Sequence, residues 1–274
     1  MKLQGTLRFE IVKFVFSYLM VGIAGFNTPA LAQNKLTLGI ATSVGDTVGL
    51  IDVRENFAAL STAISTGLKA SVAVSAVSPT LLQGAFEQNG FDIMLVLTSD
   101  AWKAQNQNAW KILALSEDRE GNVVTLMSRS GIKINNLSDL KGKKIGSSGT
   151  FTRDVLNALL KQNGISPQAV EMRDARDPEA LVYFINNSFS DVVALRDPAL
   201  IKQLTAIGAE AFFKTDPIPV YAVIVNPKIS LEQLDKIKQV IITFQLPAVL
   251  SQRTKIKAFK PLSSEHSLAL SLFD

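Results

Sequence analysis

The chain contains no cysteine. That absence excludes disulfides, thiolate metal sites and cysteine nucleophiles, and it leaves packing as the source of stability. Histidine is nearly absent as well: His266 is the one imidazole, and it stands in the C-terminal tail. A Ser-His-Asp triad would have to be built around it, and no G-x-S-x-G motif accompanies it. Neither H-E-x-x-H nor a Cys/His cluster is present to hold zinc, and the stretch Gly146–Gly149 lacks the Gly-Lys-Ser/Thr ending of a phosphate-binding P-loop. Neither charge sign dominates. The 28 Lys and Arg against 24 Asp and Glu leave +4, a weak basis for binding nucleic acid. The sequence therefore points away from an enzyme, a resident cofactor and a nucleic-acid partner.

What is present begins with an export signal. Lys2, Arg8 and Lys13 make a basic start, Phe14–Phe26 is apolar, and Ala30-Leu31-Ala32 is a small-residue cleavage pattern. The apolar run is shorter than the roughly 20 residues that span a bilayer. Cleavage is expected after Ala32. It removes three basic residues against Glu10 alone, so the remainder lies closer to neutral than the full chain. With no cysteine to carry a lipid, residues 33–274 are expected free in the periplasm.

Beyond the signal, short apolar strands alternate with amphipathic helices. Leu36, Leu38 and Ile40 share one strand face, and Val53, Phe57, Leu60, Ile64 and Leu68 recur at helical spacing. Ser71–Val77 and Phe91–Leu97 read as further strands; between them Ser78-Pro79 opens a helix that Asn89-Gly90 closes. The pattern restarts with a strand at Asn122–Arg129, a helix over Thr152–Gln162, short strands at Ala169–Met172 and Asp191–Leu195, and a helix opened by Asp177-Pro178. Val220–Val225 is another strand, and Ser230 with Gln233 opens the next helix. Such alternation implies α/β layers. It predicts two lobes, each a mostly parallel sheet flanked by helices: residues 33–126 with 222–274, and residues 127–221. Asn122–Arg129 and Val220–Val225 are expected to cross between them.

Four passages carry a family resemblance. They are VRENFAALSTAISTGL with the strand after it, GAFEQNGFDIMLVLTSDAW, LSDLKGKKIGSSGTFTRDVLNALLKQNGIS and NNSFSDVVALRD. Together they resemble the periplasmic substrate-binding proteins of ABC importers, type II fold, in the phosphate/phosphite/phosphonate-binding branch. The resemblance implies a ligand held in an interlobe cleft and delivered to an ABC permease, by a monomer. A sensory protein of the same fold, presenting its ligand-bound form to a membrane receptor, is the alternative. The stretch after Gly146 departs from the family's Ser-Thr-Ser-Gly type, and a histidine common further on is missing around Asp174–Asp177.

The cleft of such a protein needs convergent polar groups. Ser147, Ser148, Gly149, Thr150 and Thr152 lie between a strand and a helix start, where free N–H groups favour an anion, and Arg153 adds a charge nearby. An ordinary capped turn would use the same residues. Thr42-Ser43 and Thr98-Ser99 end strands, so they either face the cleft or cap helices. Arg196 follows another strand, and Tyr221 sits near the second crossing. Trp102 and Trp110 read as packing residues. The expected partner is a small oxyanion.

Overall fold

The computed structural model describes residues 35–44, 52–119 and 121–274. The expected signal peptide lies outside the described residues, as does Glu120. The order of elements is β1 (Lys35–Ala41), α1 (Val53–Asn56), α2 (Ala58–Leu68), β2 (Ser71–Val77), α3 (Pro79–Glu87), β3 (Ile93–Leu97), α4 (Thr98–Asn108), β4 (Lys111–Asp118) and β5 (Thr125–Ser128). There follow β6 (Lys144–Ser148), α5 (Thr150–Gln162), β7 (Glu171–Ala175), α6 (Ala180–Asn186), β8 (Val192–Leu195), α7 (Pro198–Ala206) and β9 (Glu210–Lys214). The chain ends with β10 (Tyr221–Val225), α8 (Leu231–Thr243), α9 (Ala248–Thr254), β11 (Ile256–Pro261), α10 (Ser264–Leu270) and a 3-10 turn at Ser271–Phe273.

Two sheets result. One has the order β11-β4-β10-β3-β1-β2, the other β7-β6-β8-β5-β9. Every residue of β3 is buried, as suits a central strand covered on both faces. In α5, Val155, Leu156, Leu159 and Leu160 form the buried stripe that the periodicity predicted. Pro79 occupies the first turn of α3, and Asn89 takes the left-handed conformation (φ 51°) after its end. Ser230 accepts from the Gln233 N–H at 3.2 Å to open α8.

The sheets are mixed rather than mostly parallel. β1 pairs parallel with β2 and β3, and β6 with β7 and β8, but β10 and β5 run antiparallel to their neighbours. β11 also pairs antiparallel, with β4; β10 and β5 each receive the chain just after it passes between sheets. Tyr221 stands opposite Leu97 at the end of β3, and Thr125 stands opposite Leu195 at the end of β8. Each strand thus starts at the carboxyl edge of its neighbour and must run the opposite way. The connecting segments are 119–124 and 215–220, so most of the two segments expected to cross is strand. β7 also lies later than its expected Ala169–Met172, and α6 starts at Ala180, after the Asp177-Pro178 pair.

The largest hydrophobic cluster runs through both sheets, from Leu38 and Leu95 to Ile145 and Val155. A smaller one, including Met127, Leu181, Val193 and Leu204, lies on the α6/α7 side of the second sheet. The second sheet is thus anchored to the first through one face only.

Candidate functional site

The carboxyl ends of parallel strands are where ligands enter open α/β sheets. Here β6, β8 and β7 are neighbours, with Ser148 paired to Ala175 and Ser147 to Ala194. The residues immediately beyond these ends are Gly149, Arg176 and Arg196, and all three line one cleft of about 800 Å³. Leu97, Val220, Tyr221 and the segment Gln252–Lys255 line it from the first sheet's side.

The start of α5 forms the floor on the second sheet's side. Gly149 precedes the helix with φ 77° and ψ 150°, and no side chain caps the first turn. An L side chain strongly disfavours that backbone, which glycine adopts freely. The first amides of an uncapped helix have no partner within the helix and carry its positive end. Ser148, Phe151 and Thr152 line the cleft beside them. Arg196 is held from two directions. Its guanidinium lies 5.2 Å from the Phe151 ring centre, and Nη1 donates to the Gly121 carbonyl at 3.3 Å. Stacking and one hydrogen bond orient the group while leaving other N–H donors uncommitted.

The remaining residues expected at the site have other surroundings. Thr98 is fully buried and donates to the Pro219 carbonyl at 2.7 Å, while its N–H reaches Val220 O at 3.0 Å, tying β3 to the second connecting segment. Ser99 is buried and donates to Asp154 at 2.6 Å, away from the cleft lining. Ser147 is buried within β6, and its hydroxyl has no hydrogen-bond partner among the described residues. Thr150 is exposed and does not line the cleft; neither does Thr42, whose N–H donates to Val77 O. Ser43 lines it. Arg153 is engaged with Asp174 at 3.2 Å. Trp110 is buried and donates to Phe86 O. His266 pairs with Ser263 at 3.0 Å, at the start of α10.

Sequence reasoning found Arg196 but missed the other basic groups. Arg176, Arg253 and Lys255 line the cleft together with Arg196. Arg176 has no ion-pair partner among the described residues, whereas Arg253 lies 3.7 Å from Asp52. Arg176 was legible in principle: once β7 is extended to Ala175, which pairs with Ser148, the next residue must stand beside Gly149. Nothing local marks Arg253 or Lys255, which reach the cleft from the end of α9. Acids are present too. Asp118 is committed inward, accepting from the Val220 N–H and the Ser116 hydroxyl, both at 3.1 Å. Asp177 and Glu179 also line the cleft. Among the described residues, no His, Cys, Asp and Glu cluster suited to a metal ion occurs, and no helix is long and apolar enough to cross a membrane.

This architecture recurs in known proteins. XAC2383 from Xanthomonas citri, solved bound to ATP, superposes with a TM-score of 0.65 at 15% identity, covering 88% of this chain and 95% of that one. PhnD1 from Prochlorococcus marinus, solved with methylphosphonate, gives 0.58 at 14% identity over 88% and 97%. The periplasmic aliphatic sulphonate binding protein SsuA from Escherichia coli gives 0.50 at 14% identity over 88% and 91%. At such identities the likeness establishes a shared fold, that of type II periplasmic binding proteins. No curated protein sequence matches the chain. The profile of the family described as "ABC transporter, phosphonate, periplasmic substrate-binding protein" matches residues 51–267. The chain therefore belongs to this family of phosphonate periplasmic substrate-binding proteins, which are binding proteins and not enzymes.

Proposed function

We propose that this protein captures a small oxyanion of the phosphonate or phosphate class in the cleft and delivers it to an ABC importer. The observation that carries the reading is the uncapped start of α5, opening on a cleft that Ser148, Thr152, Arg176 and Arg196 share. Backbone amides at a helix start and guanidinium groups are suited to the tetrahedral oxygens of a phosphonate. The methylphosphonate held by a protein of the same fold supports the same class. In this reading the leader is removed after Ala32 and the mature monomer works in the periplasm. Its two lobes, residues 33–126 with 222–274 and residues 127–221, close on the ligand.

Thermal unfolding of the protein recovered from the periplasm tests this, against methylphosphonate, phosphate, ATP, alkylsulfonates and amino acids. A ligand that binds only the native state raises the melting temperature progressively with its concentration. A selective rise with methylphosphonate or phosphate is expected. A rise with sulfonates or amino acids alone would refute the ligand class.

A further inference from the structure

A second cavity, of about 560 Å³, separates the two halves elsewhere. It shares α5 with the cleft and adjoins it at the end of β3, where α4 begins. Leu97, which precedes α4, lines the cleft, and Ser99 lines the second cavity; Thr152 of α5 lines the cleft, and Asp154 lines the second cavity. Any change of angle between α4 and α5 therefore alters both. Across this second cavity the halves are bonded directly. Ser99 donates to Asp154 at 2.6 Å. The C-terminal turn adds a bridge: Trp102 Nε1 of α4 donates to Asp274 Oδ1 at 2.7 Å, and Lys161 Nζ of α5 donates to the Asp274 main-chain oxygen at 2.5 Å.

We infer that this contact is a latch that holds the two halves in the wide-cleft arrangement and so sets how much a ligand must overcome to close them. The bonds are made with the cleft at about 800 Å³. That lies within the roughly 300–1,000 Å³ of pockets for drug-sized ligands, and it is wide for a phosphonate of a few heavy atoms. A bond present in the wide arrangement and lost in the closed one lowers apparent affinity by the population it withholds.

The absence of native cysteine allows clean labelling. Spin labels at Gln88→Cys and Gln203→Cys, exposed positions beyond α3 and on α7, report the distance between the halves in the ligand-free protein. Two variants are compared with the parent. Trp102→Phe keeps an aromatic ring and deletes the N–H donor, and Ser99→Ala removes one oxygen. Each is expected to add a distance population that the parent lacks. Identical distributions in the parent and both variants would overturn the latch. Titration with methylphosphonate rests on the function proposed above. There, the double variant is expected to bind at least about fivefold more tightly. Weaker or unchanged binding alongside a shifted distribution would overturn the wide-cleft assignment. Failure of the parent to bind methylphosphonate would count against the ligand class and the wide-cleft assignment that rests on it, while the ligand-free distances judge separately whether the contact holds the halves.

Discussion

The two cavities between the halves share α5 as a wall, yet they treat several of their polar groups in opposite ways. At the second cavity Ser99 is spent on Asp154 and Lys161 on Asp274, which also accepts from the adjacent Trp102. In the cleft such donors are kept. The first turn of α5 has no side-chain cap, and Arg196 holds its place with one bond to Gly121 and a ring contact. Buried polar groups are normally satisfied. In the proposed function, the amides and guanidinium groups left uncommitted at the ends of three neighbouring strands are kept for the ligand. A surface that pairs them internally is arranged to hold its own halves together.

The largest expected effect comes from the place where the internal pairing is imperfect. Asp100, next to Ser99 on α4, has its pKa raised to about 6, chiefly by burial and secondarily by the Asp154 charge, with Lys103 opposing. The folded protein then holds this proton more tightly than the unfolded chain. Its contribution is most favourable below about pH 4 and is lost as pH rises through about 6. Asp100→Asn removes the cost of the buried charge. It is expected to raise stability at pH 7.5 by up to about 3 kcal/mol, from about two pKa units at 1.36 kcal/mol each, and to change little at pH 3.5. Urea unfolding at both values checks this. An equal change at both would mean that packing, not charge, distinguishes the variant.

Gly149→Ala breaks the comparison from the cleft side. At φ 77° and ψ 150° a Cβ is strained, at a cost of about 1–3 kcal/mol. Relief by backbone rotation would re-aim the amides of the α5 start. Reduced melting temperature together with reduced anion binding is expected, and full retention of both would show that the loop conformation is not required. A sharper and smaller contrast is Arg196→Ala against Thr150→Ala. The first removes an oriented guanidinium from the cleft and is expected to weaken anion binding about 10- to 100-fold, the range of a hydrogen bond to a charged group. The second alters an exposed hydroxyl outside the cleft lining and is expected to leave affinity within about twofold. Isothermal titration distinguishes them; equal losses would place the anion further along α5 than the strand ends suggest.

Much of the architecture was legible because hydrophobic period is local. The stripes of α2 and α5, the buried strand Ile93–Leu97, and the Ser78-Pro79 opening of α3 are each written within a dozen residues. The strands that went unread are β4, β9 and β11, and all three pair antiparallel with their neighbours. The alternation argument overstated how parallel the sheets are, since it could not see that β5 and β10 begin at the cleft edge.

The sequence by itself determined the layered α/β class, the family and a helix over Thr152–Gln162, which the structure begins two residues earlier at Thr150, because these depend on periodicity, on motif and on residues adjacent along the chain. Only the tertiary structure decided which candidate hydroxyls meet at one cleft. Thr98 and Ser99 stand at a strand end just as Ser148 does, but their hydroxyls are drawn to Pro219 and Asp154 by neighbours distant in sequence. Arg253 and Lys255 reach the same cleft from about a hundred residues beyond the α5 start. Convergence of that kind is set by how the helices and sheets pack, and no local pattern encodes it.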